Sequence, residues 1–152
     1  MSYIFSPDAS ISYQKKISRS IPKRFAICME VTNKAKDMDF DPIIAASVAY
    51  QETRFTYSKS HKNAKGPLGV LTKYHCPNPN KCDLTKAGIR ALKKFFALNT
   101  KKPCNALAQY NAGLKAKCST RSPASRYAQR VLDMYYEVKY YNQRELFDHN
   151  IE

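Results

Sequence analysis

The sequence predicts a mainly α-helical single domain with a long loop through its middle. Three observations carry that expectation. The chain has 152 residues, the size of one ordinary domain. Its apolar residues recur at helical rather than alternating spacing. A stretch rich in Ser, Lys, Asn, Gly, Pro and His, from Thr56 to Lys81, separates two such helical blocks. At 43% hydrophobic the composition rules out wholesale disorder, and no apolar run approaches the roughly 20 residues of a membrane span. A domain of this size buries about two thirds of its unfolded surface, so it needs neither metal nor disulfide to fold.

In chain order, residues 1–20 are polar and mixed and read as an arm, leaving 21–152 as the folded domain. Ile21, Phe25, Cys28 and Met29 have helical spacing behind Pro22, which predicts a first helix over 21–36. Asp41 is a good N-cap and Pro42 suits a first helical position, so a second helix starts there. Its sequence, IIAASVAYQETRF, is apolar on most sides until Tyr50, the mark of a buried helix. The 56–81 loop leaves room for one short strand or turn. Leu84–Leu98 returns to helical spacing, with Ile89, Leu92, Phe95 and Phe96 on one face and Arg90 and Lys94 on the other. A short helix over 104–112 is stopped by Gly113, a natural C′ residue. A last helix runs from about Ser125 to Gln143, and the chain shows no internal repeat.

Charge and cysteines bound the partners and the compartment. Lys and Arg number 26 against 12 Asp and Glu, a net charge of +14. Such a field attracts polyanions: nucleic acid, the anionic bacterial envelope, or neither if the charge only solubilises. No nucleic-acid motif is present. Among five cysteines, Cys76 and Cys82 bracket a turn-forming Pro-Asn-Pro-Asn-Lys segment, and Cys104 and Cys118 bracket a second short stretch. Two local disulfides, leaving Cys28 outside them, are the preferred arrangement, which places the protein outside the reducing cytosol. A zinc site of His75, Cys76 and Cys82 is the sharper alternative, although its spacing is poor and no second cysteine pair follows.

One carboxylate stands out. Ile44, Val48 and Phe55 form the core-facing stripe of the second helix. At about 100° per residue, Glu52 falls about 60° from the stripe's middle, at the edge of the buried face. Desolvation there raises a carboxyl pKa, as a general acid in glycosidic cleavage requires. The plainer alternative is a surface Glu paired with Arg54 or a lysine.

Four segments in order resemble a known family. Asp41-Pro42 to Phe55 is similar to the catalytic helix of soluble lytic transglycosylases and goose-type lysozymes, which opens on Asp-Pro and ends in Glu-Ser followed shortly by Phe. Asn63-Ala64-Lys65-Gly66-Pro67-Leu68-Gly69 resembles the loop that follows it. Ala106 to Gly113, ALAQYNAG, is very close to the family's Ala-Leu-Ala-x-Tyr-Asn-Ala-Gly. Tyr127-Ala128-Gln129-Arg130-Val131-Leu132 resembles its closing motif. The resemblance spans residues 38–138, about two thirds of the chain, and its most specific part is the Tyr-Asn-Ala-Gly match.

The resemblance implies a lysozyme-like fold and cleavage of the β-1,4 bond between N-acetylmuramic acid and N-acetylglucosamine in peptidoglycan. It implies that Glu52 is the sole acid/base, and that Tyr110 hydrogen-bonds it. It places Thr53, Gly66, Leu68, Tyr110 and Asn111 along the substrate groove, with Gly66 letting backbone approach a sugar. In the lytic transglycosylase version no second carboxylate, metal or cofactor takes part. Asp83, the only acidic residue between Glu52 and Asp133, reads as an N-cap. A hydrolytic lysozyme and a non-catalytic cationic binder are the alternatives. Four departures are visible: Thr53 replaces the family serine, Gly69 its loop glutamine, Asn63 its first loop glycine, and Leu68 its methionine. The expected partners are glycan strands and the anionic envelope, with the protein acting as a monomer at the bacterial wall. The N-terminus has no apolar leader, so delivery is expected through a bacteriophage route, such as a holin or a virion, or after removal of a leader.

Overall fold

The computed structural model describes residues 11–57, 64–119 and 121–151, with side-chain surroundings for 22–57, 64–119 and 121–144. Positions 1–10 of the expected arm, and Asn63, lie outside the described residues. Among those described, six α-helices and one two-stranded antiparallel sheet make a mainly α fold. The helices are α1 (Ile11–Asp37), α2 (Pro42–Thr53), α3 (Thr72–His75), α4 (Leu84–Leu98), α5 (Pro103–Ala112) and α6 (Pro123–Ile151). The strands are β1 (Ala64–Lys65) and β2 (Val70–Leu71), paired with Ala64 opposite Leu71.

α2 begins where local chemistry dictates. The Asp41 carboxylate accepts from Ile43 N at 2.8 Å and Ile44 N at 3.3 Å, with Pro42 next to it. Such a cap contributes about 1 kcal/mol. The helix is then buried nearly all round, from Ile44 through Ala49, because α1 packs on one side and α6 on another. α5 lies between α4 and α6, and Leu92, Leu107, Ala128 and Val131 complete the core without exposure. α4 has the expected bounds, and the Asp83 carboxylate caps it by accepting from Lys86 N at 3.0 Å.

Two helices are longer than periodicity predicts. α1 starts at Ile11 and runs through Pro22. An interior proline removes one hydrogen bond and crowds the preceding turn, which is why the sequence reads as a helix start there. The C-terminal half of α1 is anchored beyond it by buried Cys28, Val31 and Ala35, packed on α2 and α4. α6 continues past Gln143 to Ile151.

The central loop is more structured than expected: a small β-hairpin, then α3 and a 3₁₀ turn over Pro79–Lys81. Cys76 and Cys82 are joined across that turn, with Cα atoms 5.7 Å apart. Cys104 and Cys118 join the start of α5 to the segment after it, at 5.9 Å. The first bridge consumes the thiolates the zinc alternative needed. Among the described residues no cluster of His, Cys, Asp and Glu is placed to hold a metal ion.

Candidate active site

Glu52 sits in the last turn of α2, where the chain reverses sharply. Arg54 and Phe55 both take left-handed conformations, with φ of 57° and 61°. For residues with a side chain each costs about 1–2 kcal/mol, and such strain concentrates at functional positions. The reversal returns the Phe55 ring to the core, where it is 1% exposed. Arg54 does not pair with Glu52. It lies over the Tyr50 ring, 4.4 Å from its centroid, and donates to Tyr50 O at 2.9 Å.

The hairpin turn is clamped against this helix end. Thr53 Oγ1 donates to Pro67 O at 2.9 Å, and Tyr110 Oη, from α5, donates to Leu68 O at 2.5 Å. Two consecutive carbonyls of one turn are thus held from two helices, and the next residue, Gly69, comes to rest on the Glu52 carboxyl. A Cβ on Gly69 would stand 2.6 Å from Glu52 Oε2 and 3.0 Å from its Cδ, and the residue has a φ of +64°. Glycine is therefore required there twice, by backbone conformation and by space. The family glutamine is excluded by the same contact.

Enclosure sets the electrostatics. Burial pushes the Glu52 carboxyl up from its ordinary 4.5 to about 7, while the Tyr127 hydroxyl works in the opposite direction. Among the described residues no other carboxylate contributes to that shift. Tyr127, from α6, is 6% exposed. Its hydroxyl is near enough to act on the carboxyl, yet it makes no hydrogen bond of full distance and angle. The hydroxyl is thus a nearby dipole and an uncommitted donor rather than a formed bond. Tyr110 and Tyr127 are both raised well above the ordinary phenol value, first by burial and then by the Glu52 charge. One carboxyl is therefore flanked by two phenols. The site can hold a proton near neutral pH and return to a carboxylate after giving it away.

The residues named from sequence fall into three groups. Glu52, Thr53 and Tyr110 converge as expected in place, but the Tyr110 hydroxyl goes to the Leu68 carbonyl rather than to Glu52. Leu68 joins the site through that carbonyl only. Its side chain is fully buried in a notch of α4, where a Cβ on Gly88 would meet Leu68 Cδ1 at 2.6 Å. Gly66 is buried too, and the close approach it permits is to Leu84, whose Cβ would lie 2.7 Å from an added side chain. Asn111 is exposed and lines a depression between the end of α5 and the start of α6. Asp83 stays away, capping α4 and pairing with Lys34 at 3.3 Å.

Sequence reasoning missed the contact of Tyr127 and the packing of Gly69 on Glu52. Tyr127 was visible as the first residue of the closing motif, a signal of position without a partner. An apolar depression of about 340 Å³ between α1, α2 and α6 lies along the first half of α2, about 7.5 Å or more down the helix axis from Glu52. It holds no acid/base pair. Comparison with protein families, curated proteins and solved structures finds no match to this chain.

Proposed function

We propose that this protein is a lysozyme-like peptidoglycan lytic transglycosylase with Glu52 as its sole acid/base. One observation carries the reading: a desolvated carboxyl, shifted to about 7, packed between two buried tyrosines and a glycine turn, with no second carboxylate among the described residues contributing to its shift. The resemblance of four segments, from the Asp-Pro helix to the closing motif, supports the same reading.

In the proposed reaction protonated Glu52 gives its proton to the glycosidic oxygen, and the bond from the muramyl C1 to that oxygen breaks. Positive charge develops at C1, and the substrate's own N-acetyl group can share it. The Glu52 carboxylate then takes the proton of the muramyl 6-hydroxyl as that oxygen bonds C1. The products are a 1,6-anhydromuramic end and a re-protonated Glu52. Thr53 and Tyr110 position the hairpin that encloses the carboxyl, and Asn111 lies on the exposed side where glycan arrives. No metal or cofactor is called for. The site of action is the bacterial wall outside the reducing cytosol, in keeping with two disulfides, and delivery there by a bacteriophage route belongs to the same proposal.

A second reading is favoured by the charge of +14: a cationic binder of envelope or nucleic acid, without catalysis. The test is mass spectrometry of soluble products after purified sacculi are incubated with wild type and with Glu52→Gln. Anhydromuropeptides from wild type alone are the expected result. Reducing-end muropeptides identify a hydrolytic lysozyme instead. No release by either protein overturns the enzymatic reading and leaves the binder, whose salt-sensitive attachment Glu52→Gln would not alter.

A further inference from the structure

The proposed reaction leaves unused a basic surface formed by α3 and the outer face of α4. α3 is a single turn, Thr72–His75, held on α4 by packing and by the Cys76–Cys82 bridge, which ends beside the Asp83 cap. Lys73 and Tyr74 are exposed on it, with Lys73 Nζ 5.6 Å from the centroid of the Tyr74 ring. Arg90 and Lys94 stand one turn apart on the exposed side of α4. Both reach His75: burial first, then the charges of Lys94 and Arg90, hold its imidazole below the ordinary 6.5. The cations of α4 and the residues of α3 therefore share one patch.

Little in the fold offsets this charge. Asp83 is the only acidic residue between Glu52 and Asp133, and its carboxylate is engaged by Lys86 N and by Lys34. Among the described residues neither Arg90 nor Lys94 forms an ion pair. The patch is also partly apolar. Tyr74 is 70% exposed, and Leu71, at the N-cap of α3, is 39% exposed. An aliphatic and a phenol standing out among cations suit a membrane interface, where rings and aliphatic groups enter the headgroup layer and basic groups meet lipid phosphates. Single-stranded nucleic acid would use the cations and the ring, but it leaves Leu71 without a role.

We infer that the α3–α4 surface docks on an anionic phospholipid bilayer, with Lys73, Arg90 and Lys94 on headgroup phosphates and Leu71 and Tyr74 in the interfacial layer. The inference goes beyond the proposed function and holds whether or not Glu52 is catalytic. The contact is peripheral, because no helix among the described residues is long and apolar enough to cross a membrane.

The experiment is co-sedimentation of the full chain with two kinds of vesicle, phosphatidylcholine alone and phosphatidylcholine mixed equally with phosphatidylglycerol. Wild type is expected to bind the mixed vesicles and not the neutral ones. Replacing Lys73, Arg90 and Lys94 together by alanine should weaken that binding about a hundredfold, from about fivefold for each cation near a charged membrane. Replacing Lys115, Arg121 and Arg126 together by alanine removes the same charge elsewhere and should weaken it about threefold at most, since salt screens distant charges. Tyr74→Ser alone should weaken it about fivefold, the effect of roughly 40 Å² of ring returned to water. All seven side chains are exposed, so each variant should fold, which circular dichroism checks. Equal loss in the two triple variants means attraction by net charge alone and overturns the surface. Undiminished binding by Tyr74→Ser overturns the interfacial contact, and absence of wild-type binding to mixed vesicles overturns the docking outright. Should wild type instead bind a single-stranded oligonucleotide through the same three cations while ignoring the vesicles, the surface belongs to nucleic acid and the bilayer assignment falls.

Discussion

Replacing Glu52 by glutamine should stabilise the protein at neutral and alkaline pH, and the size of the effect follows from its enclosure. Burial moves the carboxyl from 4.5 to about 7. The folded state therefore holds this proton more tightly than the unfolded chain does. The stability tied to protonated Glu52 is fully present below about pH 4.5, is lost as pH rises, and is gone above about 7. At about 1.4 kcal/mol per pKa unit the full loss is about 3 kcal/mol. The glutamine variant escapes this loss, because its side chain is neutral at every pH and nearly the same shape. Urea unfolding of wild type and Glu52→Gln at pH 4, 5, 6, 7 and 8 measures the difference, since every other titrating group is common to both. The expected gap is near zero at pH 4, widens between 5 and 7, and levels off near about 3 kcal/mol at pH 8. A gap of constant size across that range would refute the desolvated carboxyl, whatever the protein's function.

Three further outcomes follow from the same geometry. Gly69→Ala places a Cβ 2.6 Å from Glu52 Oε2 on a φ of +64°, so it should destabilise by about 1–2 kcal/mol from backbone conformation alone and abolish product release in the sacculus assay. Tyr127→Phe removes the hydroxyl that holds the Glu52 pKa down, so the alkaline limb of the activity profile should move to higher pH; a downward move would contradict the arrangement. Replacing Cys104 and Cys118 together by serine opens a bridge of sequence separation 14, which should cost about 3 kcal/mol in unfolding free energy.

What was legible in the sequence was what local chemistry decides. Asp41-Pro42 specified the start of α2, Asp83 the start of α4, and Gly113 the end of α5, because caps act within a few residues. The edge position of Glu52 followed from a three-residue apolar stripe. The start of α1 was not legible, since Pro22 looks like a boundary although the helix begins at Ile11 and runs through it. The site itself was half legible. Glu52 and Tyr110 could be named, but the acceptor of the Tyr110 hydroxyl is 42 residues away, and Tyr127 stands farther still along the chain from the carboxyl it acts on. Gly69 read as a missing glutamine. Its actual reason, a carboxyl occupying the space of a side chain, exists only once hairpin and helix meet.

The direction of α2 has a last consequence. Its N-terminus is capped by Asp41, and its C-terminal turn carries Glu52. The aligned peptide dipoles of a helix leave about half a negative charge at that end. While Glu52 waits for substrate, this field favours the protonated form, adding to desolvation. In the proposed cleavage the same field would attract the positive charge that develops at C1. The end of one buried helix thus supplies a diffuse negative potential around the Glu52 carboxyl, and it does so without a group that could itself be protonated.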